Sequence, residues 1–389
     1  MDGRRVYLDW NATAPLRPEA REAMLAAMDA VGNPSSVHAE GRAAKKIVET
    51  ARAQVADLVG CEPAEVVFTS GATEAVATAL NGISGGSFMA VAAACEHECV
   101  LAHRKLGPGL QTSPDGIIIL GEDFYTGVVP DLSADERIAI QSSNSETGVI
   151  QPLESLAREV KGTLKVSKKS GGASAVRVFT DMVQSAGKTP CSFLSELDLA
   201  ALSSHKLGGP KGVGCLLSRV DDAQRAPLID GGGQEQGRRS GTENVIGIAG
   251  FGAAAAAAKR DLEARVWDRV EKLRNILEER LESAAPGLII FGREVPRLPN
   301  TSCFAVPGWR GETQVMQMDL SGFAVSAGSA CSSGKVNKAS RVLLAMGFDE
   351  MTASSAIRVS LGPTTTEAEV LAFADAWIEH YRRRKARAA

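Results

Sequence analysis

The sequence predicts an α/β protein with a large, mostly parallel sheet domain covered by helices and a smaller α+β domain. Two features carry that reading. From about residue 17 to 230, short apolar runs alternate with segments of helical periodicity, and the runs are apolar at consecutive positions, as strands covered on both faces require. Beyond residue 245 the pattern turns to long helical stretches with scattered strands, as in an α+β arrangement. A length of 389 residues gives roughly two domains at ~150 residues each and ample material for a core.

In chain order, strands are expected at EVVFTS (65–70), MAVAAA (89–94), GIIIL (116–120), RIAIQS (137–142), VRVFTD (176–181), LDLAALSS (197–204) and VGCLLS (213–218). Joined by helix-length crossovers, such strands form a parallel sheet, whose ligands sit at the strands' carboxyl ends. The tract GGGQEQGRRSGTEN (231–244) has five glycines and no apolar residue, so it reads as a surface loop or a ligand loop. Residues 245–284, with six consecutive alanines at 253–258, form one long or two consecutive helices that connect the two parts. Strands near 288–291, 301–306 and 356–361 and helices near 312–320, 336–346 and 366–385 complete the chain. Thr366 and Glu369 have capping-box spacing, and the basic run Arg382 to Lys385 suits the end of the last helix.

Forty-three Lys and Arg against 46 Asp and Glu leave a net charge of -3, which supplies no field for a nucleic acid or a membrane surface. No apolar run reaches the ~18 residues of a membrane helix, and MDGRRVYLDWNA lacks the apolar stretch of a secretory signal, so a cytoplasmic setting is expected. Seven cysteines are scattered without the density of a disulfide framework, and reduced thiols are expected.

Several motif matches fail on context. Gly187-Lys188-Thr189 lacks the glycine of a phosphate loop, because Met182 stands five positions before Gly187. GGPKGVG (208–214) leads into a strand, where a dinucleotide fold needs a helix N-terminus. Gly82-Ile83-Ser84-Gly85-Gly86 follows a helix and precedes a strand, the reverse of a hydrolase nucleophile elbow. Cys95, His97, Cys99 and His103 offer a soft divalent metal four ligands. On one short turn after strand 89–94 such a set is strained, and a buried thiol pair beside one useful histidine is simpler.

One constellation fits together. Lys206 follows the apolar strand ALSS and precedes a Gly-Pro turn, where desolvation lowers an amine's pKa and makes it a nucleophile. Asp181 ends the strand VRVFTD, a place for a carboxylate that keeps a pyridine nitrogen protonated. Ser70-Gly71-Ala72-Thr73 lies between a strand and a helix, so backbone N–H groups and the Thr73 hydroxyl can bind a phosphate. A Schiff-base lysine, a carboxylate for the ring nitrogen and phosphate donors are what a pyridoxal phosphate enzyme requires.

Across nearly the whole chain the sequence resembles cysteine desulfurases of the IscS/NifS type, in the class V aminotransferase group of fold-type I pyridoxal phosphate enzymes. The resemblance rests on VYLDWNATAPLRPEA, GNPSSVHAEGRAAKKIVETAR, FTSGATEA, EHECVL, ETGVIQPL, DMVQSAGK, SSHKLGGPKGVG, GGGQEQGRRSGTEN, SAGSACSSGK and IRVSLG. It implies a large cofactor-binding domain over 15–258 and a small domain made of 1–14 plus 259–389. It further implies that Lys206 carries the cofactor's Schiff base, Asp181 pairs with the ring nitrogen, Gln184 meets the ring hydroxyl and His97 stacks on the ring. Phosphate would be held by Ala72, Thr73, Ser203 and His205, and by Thr242 reaching across from the other subunit of a homodimer. Arg358 and Asn33 would bind the substrate, Arg358 gripping its carboxylate through a bidentate fork.

Cys331 lies in Gly328-Ser329-Ala330-Cys331-Ser332-Ser333-Gly334, a small-residue stretch that cannot pack a core and reads as an accessible, mobile loop. The resemblance makes it the thiolate that takes sulfur from L-cysteine, leaving L-alanine and a persulfide. Its SACSSGK form is similar to the group with the longer cysteine loop, so an IscU- or NifU-like scaffold for iron-sulfur clusters is the expected acceptor. A transient contact of Cys331 with the scaffold's cluster goes with it, and a tRNA-thiolation protein is the alternative acceptor. The chain departs from the family at Asn144-Ser145-Glu146, where Asn-Asn-Glu is usual, so Ser145 replaces an amide that helps hold the cofactor hydroxyl. Val76 and Ala77 replace polar residues common after TEA.

Overall fold

The computed structural model describes residues 5–80, 90–103, 110–121, 137–166, 177–190, 195–219, 227–328 and 339–388. The chain opens with β1 (Val6–Tyr7), α1 (Pro18–Met28), α2 (Ala39–Val59), β2 (Val66–Thr69), α3 (Ala72–Leu80), β3 (Ala90–Ala92) and α4 (Glu98–Leu101). Strands β4 (Leu110–Thr112), β5 (Ile118–Leu120) and β6 (Arg137–Ala139), helix α5 (Leu153–Val166), and strands β7 (Arg177–Asp181), β8 (Leu199–Ser203) and β9 (Gly214–Ser218) follow. The second part comprises α6 (Val245–Glu263), α7 (Val266–Ala284), β10 (Ile289–Ile290), β11 (Thr301–Ala305), α8 (Gly311–Leu320), β12 (Phe323–Ala324) and β13 (Ser326–Ala327). It ends with α9 (Arg341–Ala345), α10 (Glu350–Ser354), β14 (Ala356–Ser360) and α11 (Glu367–Ala388).

Six described strands form the main sheet in the order β2-β9-β8-β7-β6-β3. The junctions from β8 to β3 are parallel, and β9 runs antiparallel to both its neighbours. Successive residues of these strands enter two different cores, as the period of two requires. Phe68, Ile138, Val178, Ala200 and Leu217 pack with Val48 and Val55 of α2 and Phe251 and Ala254 of α6. Val67, Ala139, Phe179, Ala201 and Leu216 pack with Ala75, Val76 and Ala79 of α3. Both faces are thus covered, which explains the uninterrupted apolar runs. Helices α2 and α6 approach so closely that a Cβ on Gly252 would lie 2.5 Å from Ala51 Cα.

The run at 116–120 behaves differently from the sequence expectation. β5 pairs antiparallel with β4 in a separate two-stranded ribbon, with Ile118 and Leu120 buried and Ile119 exposed. Four consecutive apolar residues cannot distinguish a strand buried on two faces from one buried on a single face. The 245–284 region resolves into two helices, separated where Arg265 adopts a left-handed φ of 54°.

A second, antiparallel sheet has the order β10-β11-β14-β13, and β1 lies parallel to β12. Its core joins Leu8 near the N-terminus to Phe304, Phe373 and Trp377, so the first strand belongs with the C-terminal elements. The expected capping box is present: the Thr366 N–H donates to Glu369 Oε2 at 2.8 Å, and the Glu369 N–H donates to Thr366 Oγ1 at 3.3 Å. Among the described residues no helix is long and apolar enough to cross a membrane. Cys331 and the Gly82–Gly86 motif lie outside the described residues.

Candidate active site

A cavity of about 640 Å³ opens where the carboxyl ends of the parallel strands meet the smaller sheet. Each strand end delivers one part of its wall. β2 runs into Ser70, Gly71, Ala72 and Thr73, β3 leads to His97, β6 to Ser145, β7 ends on Asp181 and continues to Gln184, and β8 ends on Ser203 before His205 and Lys206. Arg358 enters from β14 of the other sheet.

Lys206 closes a short 3-10 turn, Ser204–Lys206, that follows β8. The turn is tight because the Gly209 N–H returns to the Ser204 carbonyl at 3.0 Å, and a Cβ on Gly209 would lie 2.1 Å from Ser204 Oγ. The Lys206 amine reaches across to donate to the carbonyls of Asn11 at 2.6 Å and Ala12 at 2.9 Å. The Asp181 carboxyl accepts from the Val183 N–H at 2.9 Å. Burial raises its pKa, and the nearby His97, that N–H and Lys206 pull it back down. Gln184 is buried, with Nε2 donating to the Asn11 carbonyl at 3.0 Å and Oε1 accepting from the buried Lys188 amine at 2.8 Å. This network fixes the amide's orientation. Lys188 itself is held well below the usual lysine range by burial, with Lys206 and Arg358 adding cationic repulsion.

At the other end of the wall, the first amides of α3 have no carbonyl within the helix to serve. A Cβ built on Gly71 would meet nothing within 4 Å, so the space in front of these amides is open. His205 accepts or donates at 3.1 Å to Thr13 Oγ1, and burial together with Lys206, Lys211 and Lys188 lowers it to about 4. It is therefore a neutral hydrogen-bonding ring at neutral pH. Lys211, in the tract GGPKGVG, supplies a cation to the same wall.

Arg358 is 3% exposed, and its guanidinium is oriented by Asp9 Oδ1 at 2.7 Å and the Ser145 carbonyl at 2.8 Å. Next to Ser145, the buried Glu146 accepts from Ser340 Oγ at 2.6 Å, and a Cβ on Gly328 would come within 2.9 Å of its Oε2. Glu146 therefore touches the described residues on both sides of the Cys331 segment. Burial lifts its carboxyl from 4.5 to about 7. Between those values the unfolded chain releases its proton while the folded chain keeps it, so stability falls as pH rises through this window. A Glu146→Gln protein keeps the acceptor for Ser340 and loses the ionisation. It is expected to gain stability over the parent between about pH 5 and about pH 8, by up to roughly 3 kcal/mol. Thermal midpoints at the two pH values check this, and a difference that does not change with pH contradicts it.

Of the residues singled out in the sequence, Ala72, Thr73, His97, Ser145 and Asp181 line this one cavity, as do Gln184, Ser203, His205, Lys206 and Arg358. Among the described residues, two expected ones do not. Asn33 is exposed in the loop before α2, where its side chain accepts from the Ser35 N–H at 2.9 Å. Thr242 lines a separate cleft of about 200 Å³ beside Ser70 and Arg239. Its loop is docked on α3 by the Arg239–Glu74 ion pair at 2.9 Å and on α2 by the buried Arg52–Glu235 pair at 2.8 Å. The sequence reading missed Asn11, whose carbonyl serves both Lys206 and Gln184, because a backbone acceptor leaves no mark in the sequence. It also missed Lys211, which was legible as a lysine between Pro210 and Gly212 in a glycine-rich tract beside the site. The metal reading of the Cys/His cluster finds no support: Cys95 is buried with its Sγ accepting from Gln141 Nε2 at 3.2 Å, and no metal-holding cluster occurs among the described residues.

The model of the family described as Aminotransferase class-V matches residues 6–373. A cysteine desulfurase of Cereibacter sphaeroides is 39% identical over 381 residues, covering 94% of this chain and 93% of that protein. A selenocysteine lyase of Bos taurus is 34% identical, covering 95% and 91%. The solved structure of a NifS-like protein from Rickettsia africae superposes with a TM-score of 0.83 at 32% identity, covering 97% of this chain and 100% of that one. The chain belongs to the class-V aminotransferase family, enzymes of fold type I that depend on pyridoxal phosphate.

The cavity suits that cofactor. A carboxylate stands at one part of the wall, an amine at another, and open helix-end amides with a cation at a third. Its volume falls in the range of small-molecule sites, ~300–1,000 Å³.

Proposed function

We propose that this chain is a cysteine desulfurase, converting L-cysteine to L-alanine and transferring the sulfur to Cys331. The observation that carries this reading is the gathering of Lys206, Asp181, His97 and Arg358 on one cavity, with Ser326 on the same wall five residues before Cys331. Cys331 is three residues past Gly328 in the sequence.

In this reading Lys206, Asp181, Gln184, Ala72, Thr73, Ser203 and His205 hold pyridoxal phosphate, which supplies an electron sink for negative charge at the substrate Cα. Arg358, already aimed by Asp9 and the Ser145 carbonyl, binds the substrate carboxylate and fixes the Cα–H bond toward Lys206. Lys206 Nζ takes the Cα proton, and the Asn11 and Ala12 carbonyls steady the amine. The Cys331 thiolate attacks the substrate sulfur. One S–S bond forms and the Cβ–S bond breaks, with the bond's electrons going to the carbon skeleton, which is protonated to alanine. Ser145, with a hydroxyl in place of an amide, supports the cofactor oxygen less strongly than Gln184.

The acceptor in this reading is an IscU- or NifU-like scaffold for iron-sulfur clusters, and the setting is cytoplasmic. A homodimer accounts for Thr242: outside its own cavity, it is placed on a loop that a second copy can use. Exposed Val31 and Val37, 93% and 87% accessible around Asn33, support a partner surface there.

The test is direct. The purified protein with pyridoxal phosphate is expected to be yellow and to release alanine and transferable sulfur in equal amounts from L-cysteine. A yellow protein that forms no alanine from cysteine would contradict the proposal.

A further inference from the structure

The main cavity's wall holds a thiol that the reaction above does not use. Cys99 is the second residue of α4, and its side chain lines the cavity beside His97. Its Sγ lies 3.0 Å from His97 Nδ1, and its backbone N–H donates to the same nitrogen at 3.3 Å. A backbone N–H can only donate, so Nδ1 must present its lone pair, and the neutral ring then carries its proton on Nε2. The S–H adds a second donor to the same edge. Burial, reinforced by the Asp181 and Glu96 carboxylates, pushes the thiol up to about 12, so at neutral pH it remains a donor and not a thiolate.

We propose that Cys99 is a positioning residue that keeps the His97 Nδ1 as a hydrogen-bond acceptor and the imidazole proton on Nε2. The consequence reaches Asp181, whose carboxylate interacts favourably with a charged His97. A proton on Nδ1 would face the Cys99 backbone N–H and displace the S–H from its acceptor, so this arrangement disfavours that proton position. Asp181 is thereby kept for the cofactor's ring nitrogen, and His97 offers a single proton, on Nε2. Among the described residues the ionisable groups around the pair include Asp181 and Glu96, Glu98 between the two in sequence, paired with Arg341 at 2.7 Å, and Lys206 beyond Asp181. The Asp181 consequence rests on the desulfurase reading, whereas the tautomer does not.

The test uses the full-length protein, cofactor-free and cofactor-loaded, with Cys99→Ser and Cys99→Ala variants. Nitrogen-15 NMR of the imidazoles in the cofactor-free protein is expected to show His97 protonated at Nε2 in the parent and in Cys99→Ser. Loss of one hydrogen bond in Cys99→Ala is expected to lower the Nε2–H to Nδ1–H ratio by roughly 2- to 12-fold. A parent His97 protonated at Nδ1, or a ratio unmoved in Cys99→Ala, overturns the proposal. In the loaded protein, Cys99→Ala is expected to shift the pH dependence of the cofactor's visible band, and Cys99→Ser to restore it. An identical band in all three proteins overturns the Asp181 consequence. Failure of the protein to bind pyridoxal phosphate overturns the desulfurase reading while the tautomer measurement still decides the role of Cys99.

Discussion

A Lys206→Ala protein is expected to fold and to lose alanine formation from cysteine, with kcat/KM lowered by at least about 10^3-fold. In the proposed reaction the amine is the base at the substrate Cα, and neither His205 nor Lys188 can replace it. His205 is too weakly basic, being lowered to about 4, and Lys188 is buried with its Nζ committed to both oxygens of Gln184. The fold should survive, since the Lys206 amine donates to carbonyls of a loop, those of Asn11 and Ala12, and not to a core element. A small primary amine added to the variant should restore part of the rate, as an amine diffusing into the cavity can take the same proton. Assays of alanine release with and without such an amine check this, and a variant with near-parental turnover sinks the assignment.

Replacing Cys331 with serine is expected to remove cysteine desulfuration by a similar factor, because a hydroxyl neither ionises at neutral pH nor accepts sulfur. The same variant separates the two activities named among the chain's relatives. A carbon–selenium bond is weaker than a carbon–sulfur bond, so selenocysteine can lose selenium without attack by Cys331. Loss of cysteine turnover with retention of selenocysteine turnover is the pattern of a desulfurase that tolerates selenium. Retention of both would assign the chain to the lyase type.

Much of the site was legible in the sequence because fold-type I chemistry places its residues at strand ends, and strand ends are marked by apolar runs. VRVFTD ends on Asp181 and LDLAALSS is followed by Lys206, and in the structure both lie at the same edge of adjacent parallel strands. Residues supplied by their side chains from within one copy of the chain came together accordingly. Asn33 and Thr242 did not, since each lies on a loop whose place depends on contacts beyond strand order. Groups that act through the backbone, such as the Asn11 carbonyl, have no residue-type signature at all. GIIIL shows the limit on the fold side: its three-residue strand joins a ribbon outside the main sheet, and only pairing geometry reveals that. The Cys99–His97 contact was hidden for a different reason. The two residues were legible as a cluster, but spacing alone could not tell a metal ligand from a hydrogen-bond donor.

The claim at the centre of this account is that sulfur leaves the substrate by bonding to one thiol. Cofactor-loaded protein mixed once with L-cysteine, without any acceptor, then digested and weighed by mass spectrometry, tests it most directly. The peptide containing Cys331 is expected to gain a single sulfur atom, removable by a reducing agent, as alanine appears in matching amount. Alanine released while that peptide keeps its original mass would contradict it.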